Sequence, residues 1–222
     1  RWWTTCLETY ILEPGGRKFE YADKISPSLS WLNTVEEMLD LATTKDGNVL
    51  FKTLSGTVYH INHKTFATDT LFIPDYGTKA DYVVTTKMIA YDSSRNTVYL
   101  NNDKYIVQYN LDKKTSRQVP VSQILSGTPH SIQDIEFSTD FNNRIWIWAP
   151  WFGIYIINPD SFVCEDSIAN GTRGFISGNY DYLRYGGDGY MFLMGQKGTL
   201  IYNYKKELSL LLDHGNLWGG VQ

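Results

Sequence analysis

The sequence has little cysteine, no long apolar run and no cluster of one charge. Its 222 residues include two cysteines, Cys6 and Cys164. Thiols so far apart give no metal spacing and no disulfide framework. A bridge between them is the less favoured reading. No stretch approaches the roughly 20 apolar residues of a membrane span, and no signal-peptide pattern opens the chain. The formal net charge is -4 and basic runs are absent, which leaves no footprint for nucleic acid. No Ser-His-Asp pattern, nucleophile elbow, P-loop or GxGxxG stands out. His60, His63 and His214 show no metal-ligand spacing. No cofactor, metal or catalytic residue is therefore expected. The chain begins with Arg1 rather than Met, which reads as a processed chain or an excised fragment.

Aromatic residues are abundant. Seven Trp, sixteen Tyr and ten Phe make 15% of the chain, a usage that favours strands. They recur in order. Four segments, 48–65, 97–115, 144–161 and 190–207, each read as a strand, a short break, a second strand, then Asn and a polar turn. The Asn positions are 62, 110, 158 and 203, a period of 48, 48 and 45 residues. Each segment follows a turn rich in Gly, Asn and Asp, and these residues tolerate positive φ. A short inner strand precedes each turn and an outer strand follows each Asn. Apolar residues alternate with a period of two, as in "GIYII", so helical solenoids are excluded. Only 33–41 has a helical look.

Four strands per unit at this period predict an all-β fold, a β-propeller of four-stranded antiparallel blades. The expected blades are 39–72, 88–121, 134–166 and 182–212. Residues 1–21 align with the second to fourth strands of a unit, and 215–222 with the start of another. Residues 1–222 then form one propeller or part of one. The partial ends either share one closing blade or are cut edges of a larger ring, the second being favoured.

The unit resembles the two-component regulator propeller repeat. Asn142, Asn143, Ile145, Trp146, Gly153, Ile154 and Asn158 carry the resemblance in the third unit. Asp46, Gly47, Val49, Leu50, Gly56 and Asn62 carry it in the first. Asp188, Gly189, Met191, Phe192, Gly198 and Asn203 carry it in the fourth, and Gly215, Leu217, Trp218 and Gly220 fit a further start. The second unit departs, with Tyr99 and Tyr105 where Trp and Gly would stand. The resemblance implies the periplasmic sensor region of a hybrid histidine kinase, without the kinase. It implies a small-molecule or oligosaccharide ligand and a homodimer formed through the intact receptor. A propeller-type lyase or glycosidase, and a protein-binding scaffold, are the alternatives. WD40 repeats, sialidase Asp boxes and a hemopexin-like ring fit less well.

In a four-stranded meander the second-to-third turns and the blade-to-blade links share one face. Here the links are long and the opposite turns short. Long loops on a rigid scaffold carry binding residues. The candidate ligand-binding residues on that face are Trp151, Phe152, Trp31, Tyr180, Asp181, Arg184 and His130, with Tyr76, Lys79, Asp81, Tyr82 and Arg173 beside them. Each has a structural alternative. Trp151 and Phe152 either cap the core or offer a stacking platform for a sugar. Asp181 and Arg184 either pair within their loop or contact a ligand near the ring axis. Trp146 reads as blade packing, and Trp148 fits either role.

Overall fold

The computed structural model describes residues 2–5, 9–12, 17–34, 38–53, 56–72, 89–102, 105–125, 136–140, 142–149, 152–176, 178, 180, 182–195 and 198–213. Four four-stranded antiparallel sheets make the blades of a β-propeller. The first blade is β4 (Met38–Thr43), β5 (Val49–Thr53), β6 (Val58–Ile61) and β7 (Thr68–Phe72). The second is β8 (Ala90–Asp92), β9 (Thr97–Asn102), β10 (Tyr105–Asn110) and β11 (Thr115–Pro120). The third is β12 (Glu136–Thr139), β13 (Ile145–Ala149), β14 (Gly153–Ile157) and β15 (Cys164–Ala169). The fourth is β16 (Tyr182–Gly187), β17 (Tyr190–Gly195), β18 (Gly198–Asn203) and β19 (Leu208–Asp213). Ahead of them, β1 (Trp2–Thr5), β2 (Thr9–Leu12) and β3 (Glu20–Tyr21) form a three-stranded sheet. Two single turns of α-helix, α1 (Ala22–Ile25) and α2 (Val121–Ile124), and a 3-10 helix at Pro27–Asn33 lie in the links. The helical-looking stretch at 33–41 ends in β4. There Leu41 and Ala42 pair with Phe51 and Leu50, and sheet pairing overrides local preference.

The recurring Asn has a physical cause. Its side-chain oxygen accepts backbone N–H groups just ahead: Lys64 and Thr65 for Asn62, Lys113 for Asn110, Asp160 and Ser161 for Asn158, and Lys205 and Lys206 for Asn203. Each is an Asx turn that starts the return into the outer strand. Four residues after each Asn the backbone takes positive φ, at Phe66, Lys114, Phe162 and Glu207. The turn geometry, not the side chain there, is what repeats.

Blades pack face to face through apolar layers. Leu50 and Val58 of the first blade meet Val98, Leu100 and Val107 of the second. Tyr99, Ile106 and Val119 of the second meet Ile145, Ile147 and Ile157 of the third. Trp146, Trp148, Ile154, Ile156 and Ile168 of the third meet Leu183, Met191, Leu193, Leu200 and Tyr202 of the fourth. The N-terminal sheet packs Ile11 toward Val49, Phe51 and Ile61 of the first blade. Inner strands β4, β8, β12 and β16 lie side by side in chain order around the axis.

Candidate functional site in the axial channel

Positions in the inner strands can be matched through their cross-strand partners. Ala42, Ala90, Ser138 and Arg184 pair with Leu50, Tyr99, Trp146 and Phe192. Those four in turn pair with His60, Gln108, Ile156 and Ile201, each two residues before the recurring Asn. One residue per blade therefore stands at the same level of the axis, and three of the four are small. The space they leave is a cavity of about 240 Å³. It is lined by Leu41 to Thr43, Ile89 to Tyr91, Ser138, Thr139 and Arg184.

A circuit of hydrogen bonds joins the inner strands around this cavity. Ile89 N–H donates to Asp40 Oδ2 at 2.7 Å, linking the first and second blades. Thr139 Oγ1 donates to the Tyr91 carbonyl at 3.1 Å, linking the second and third. Tyr185 N–H donates to Ser138 Oγ at 3.0 Å, linking the third and fourth. Arg184 Nη2 donates to Asp40 Oδ1 at 3.2 Å and closes the circuit. The Asp40 side chain is 11% exposed and that of Arg184 is 42% exposed. Burial pushes the Asp40 carboxyl above its ordinary range. The Arg184 and Lys52 charges and the Ile89 and Leu41 N–H groups pull the other way. The Lys52 side chain is itself fully buried.

Chemically, the arrangement can hold a polar ligand. Asp40 stands beside the lining and holds the Arg184 fork at the cavity. The Ser138 hydroxyl accepts from Tyr185, which leaves its own hydrogen to donate. Arg184 presents a planar fork of donors suited to oxygen ligands. Among the described residues no group of three or more His, Cys, Asp or Glu could hold a metal. No helix among them is long and apolar enough to cross a membrane.

Four of the seven candidate residues, Arg184, Phe152, Trp31 and Tyr180, fall among the described residues. Arg184 lines the axial cavity and pairs with Asp40 of the first blade. Asp181, Trp151 and His130 lie outside the described residues, as do Tyr76, Lys79, Asp81, Tyr82 and Cys6. Cys164 carries a free thiol. Phe152 is 38% exposed in the turn between β13 and β14. Trp31 stacks on Phe51 and meets Tyr59 at a tilt, with ring centroids 5.5 and 4.9 Å away, and belongs to the packing of the first blade. Tyr180 is buried between the third and fourth blades, and its hydroxyl donates to the Ile176 carbonyl. Trp146 and Trp148 are both fully buried. Trp146 Nε1 donates to Asp140 and Trp148 Nε1 to the Tyr180 carbonyl. Arg173 bridges Asp166 of β15 and Glu207 beside the start of β19. Sequence reasoning missed Asp40, Ser138 and Thr139. Stacking the four inner strands on the recurring Asn would have found the small residues among them.

A propeller with a lined axial cavity is the class that fold and site define. No family model matches the sequence, and no curated protein matches it. Solved structures do. The chain is similar to the extracellular domain of a hybrid two-component system from B. thetaiotaomicron, with 16% identity, 86% of this chain and 24% of that one covered, and a TM-score of 0.60. A second such domain from B. thetaiotaomicron matches at 13% identity, 80% and 24% coverage and a TM-score of 0.54. YCF48 bound to D1 peptide matches at 13% identity, 92% and 63% coverage and a TM-score of 0.57. The chain spans about a quarter of the length of the two sensor domains.

Proposed function

We propose that this chain is a ligand-sensing propeller segment of an extracytoplasmic receptor domain, and that it binds a carbohydrate fragment in the axial cavity. One observation carries the reading: three blades place small residues at the level where the fourth places Arg184, so that polar groups from three inner strands converge on an open space. Sugar hydroxyls match that set, because the Arg184 guanidinium and the Ser138 hydroxyl can donate to hydroxyl oxygens while the Thr139 hydroxyl oxygen accepts from a neighbour. The likeness to two sensor domains supports the receptor assignment and a location outside the cytoplasm. Signalling then follows from differential affinity: a ligand bridging Arg184 and Ser138 favours one packing of the inner strands over another. An enzymatic reading has less support. Glycoside hydrolysis uses a pair of flanking carboxyl groups, and Asp40 is the one carboxylate in the circuit among the described residues.

The test is calorimetric titration of the 222-residue chain with a panel of plant and host oligosaccharides, alongside Arg184→Gln. Binding of one glycan, weakened at least ~10-fold by Arg184→Gln, is expected, since a lost charge-assisted contact is worth more than 1.4 kcal/mol. Binding that Arg184→Gln leaves unchanged would move the ligand off the axis. If no glycan binds and an extended peptide does, the scaffold reading replaces this one, as the peptide-bound neighbour suggests.

A further inference from the structure

Each blade ends in an outer strand whose far edge pairs with no other strand among the described residues. Such an edge offers N–H and C=O groups to any extended chain that meets it, and charged side chains or Pro usually guard it. Three of the four edges here are guarded. Opposite the residue two before the recurring Asn stand Asp69 in β7, Arg117 in β11 and Asp166 in β15, all exposed. The fourth blade has Leu210 at that place. One residue further on, the first three blades carry Thr70, Gln118 and Ser167, and the fourth carries Leu211.

β19 therefore runs from Leu208 to Leu212 with Ser209 as its one polar residue and no charge before Asp213. Leu208, Leu210, Leu211 and Leu212 are 64%, 57%, 46% and 46% exposed. That exposure falls on both sides of the strand. Leu211 pairs with Leu200 and shares the face packed on the third blade, whereas Leu208, Leu210 and Leu212 point the other way. The apolar feature is thus the rim itself, whatever lies across the blade. The strand is also held in place from its inward face. Arg173 grips Glu207 at 2.7 Å, the Ser209 hydroxyl donates to the Gly174 carbonyl, and the Tyr202 hydroxyl donates to the Arg173 carbonyl. An edge already fixed loses little freedom when it pairs.

We infer that β19 is a pairing edge for a second copy of this chain, joined antiparallel across a two-fold axis so that two fourth blades become one continuous sheet. Charge selects both the occupant and the direction. Lys205 and Lys206 precede the leucines and Asp213 follows them, all three exposed. An antiparallel copy sets each lysine pair beside the other copy's Asp213, whereas a parallel copy sets like charge against like. Glu207 is balanced by Arg173 within its own copy. Self-complementarity of this kind is what a two-fold interface requires. Main-chain hydrogen bonds across the edge supply the affinity, as in strand addition generally. The pairing is independent of what the axial cavity binds.

The experiment is sedimentation equilibrium of the 222-residue chain beside three variants. They are Leu210→Lys, the double reversal Lys205→Glu with Lys206→Glu, and that reversal combined with Asp213→Lys. Far-UV circular dichroism checks that each variant folds. A dimer is expected, and Leu210→Lys should weaken it at least ~10-fold, because it sets two like charges in the middle of the joined edge. Reversing the lysines should weaken it at least ~3-fold, and adding Asp213→Lys should restore it. A chain that stays monomeric at about 100 µM would overturn the inference. So would a dimer indifferent to Leu210→Lys. A dimer that Leu210→Lys dissociates, but whose charge reversal Asp213→Lys does not rescue, would overturn the antiparallel pairing.

Discussion

Two kinds of Asp–Arg pair occur in this propeller, and they do different work. At the short first-to-second turns, Asp92 pairs with Arg95 at 2.9 Å and Asp140 with Arg144 at 2.6 Å. Both carboxylates are saturated locally. Asp92 accepts the Ser94 and Arg95 N–H groups and the Ser94 hydroxyl. Asp140 accepts the Asn142 and Arg144 N–H groups and the Trp146 indole. The arginines then reach the next blade, Arg95 to Asp160 and Arg144 to the Tyr204 hydroxyl. On the axis, Asp40 and Arg184 are 144 residues apart, and the arginine remains half open to the channel. A pair closed within one turn is a clasp. A pair assembled from the first and fourth blades leaves an exposed fork beside a cavity. Partner count and sequence separation, more than charge, are what distinguish the two kinds of pair.

The comparison can be broken in several places. Asp140→Ala should have the largest effect, a loss of about 3–5 kcal/mol, because it strands a half-buried guanidinium and a buried indole N–H. Urea unfolding measures it, and a loss below about 1 kcal/mol would dissolve the distinction. Arg184→Gln should instead cost under about 1 kcal/mol, as partly exposed pairs do, while abolishing the response to ligand. Equal destabilisation by the two substitutions would make the axial pair another clasp.

Acid sharpens the contrast. The Asp40 carboxyl lies above its ordinary value of 3.8, chiefly through burial. Between 3.8 and that raised value the folded chain binds the proton more tightly than the unfolded one. This carboxyl therefore costs stability at neutral pH, and the cost disappears as pH falls through its folded pKa. The difference in unfolding free energy between the natural chain and Asp40→Asn should shrink or invert across that window. Asp160 behaves oppositely. The Arg95 guanidinium holds it below 3.8, so its contribution is present above that value and is lost as pH falls through the lowered pKa. Because Asp160 is 70% exposed, Asp160→Asn should have the smallest effect, at most about 1 kcal/mol and weaker still in high salt. A larger loss would show that the inter-blade clasp, not the turn, carries the stability.

Much of this was legible beforehand. The spacing of Asn62, Asn110, Asn158 and Asn203 reports a turn that closes on its own backbone, so it survives without tertiary context. Trp146 could be placed in a blade interior by alternation alone, but Trp148 could not, because its burial depends on Phe175 and Tyr180 from the following link. Tyr180 looked like a loop residue for the same reason. Arg184 was singled out by its place near the axis, yet its partner was invisible, since no local pattern connects it to Asp40.

By itself, the sequence determined the unit: strand count, turn chemistry, period and the alternation that gives each blade two apolar faces. These depend on hydrogen bonds and φ preferences within some fifteen residues of chain. Only the tertiary structure decided what meets at the axis. There four strands distant in sequence converge, and a cavity exists because three of them bring little volume to a level where the fourth brings a charge.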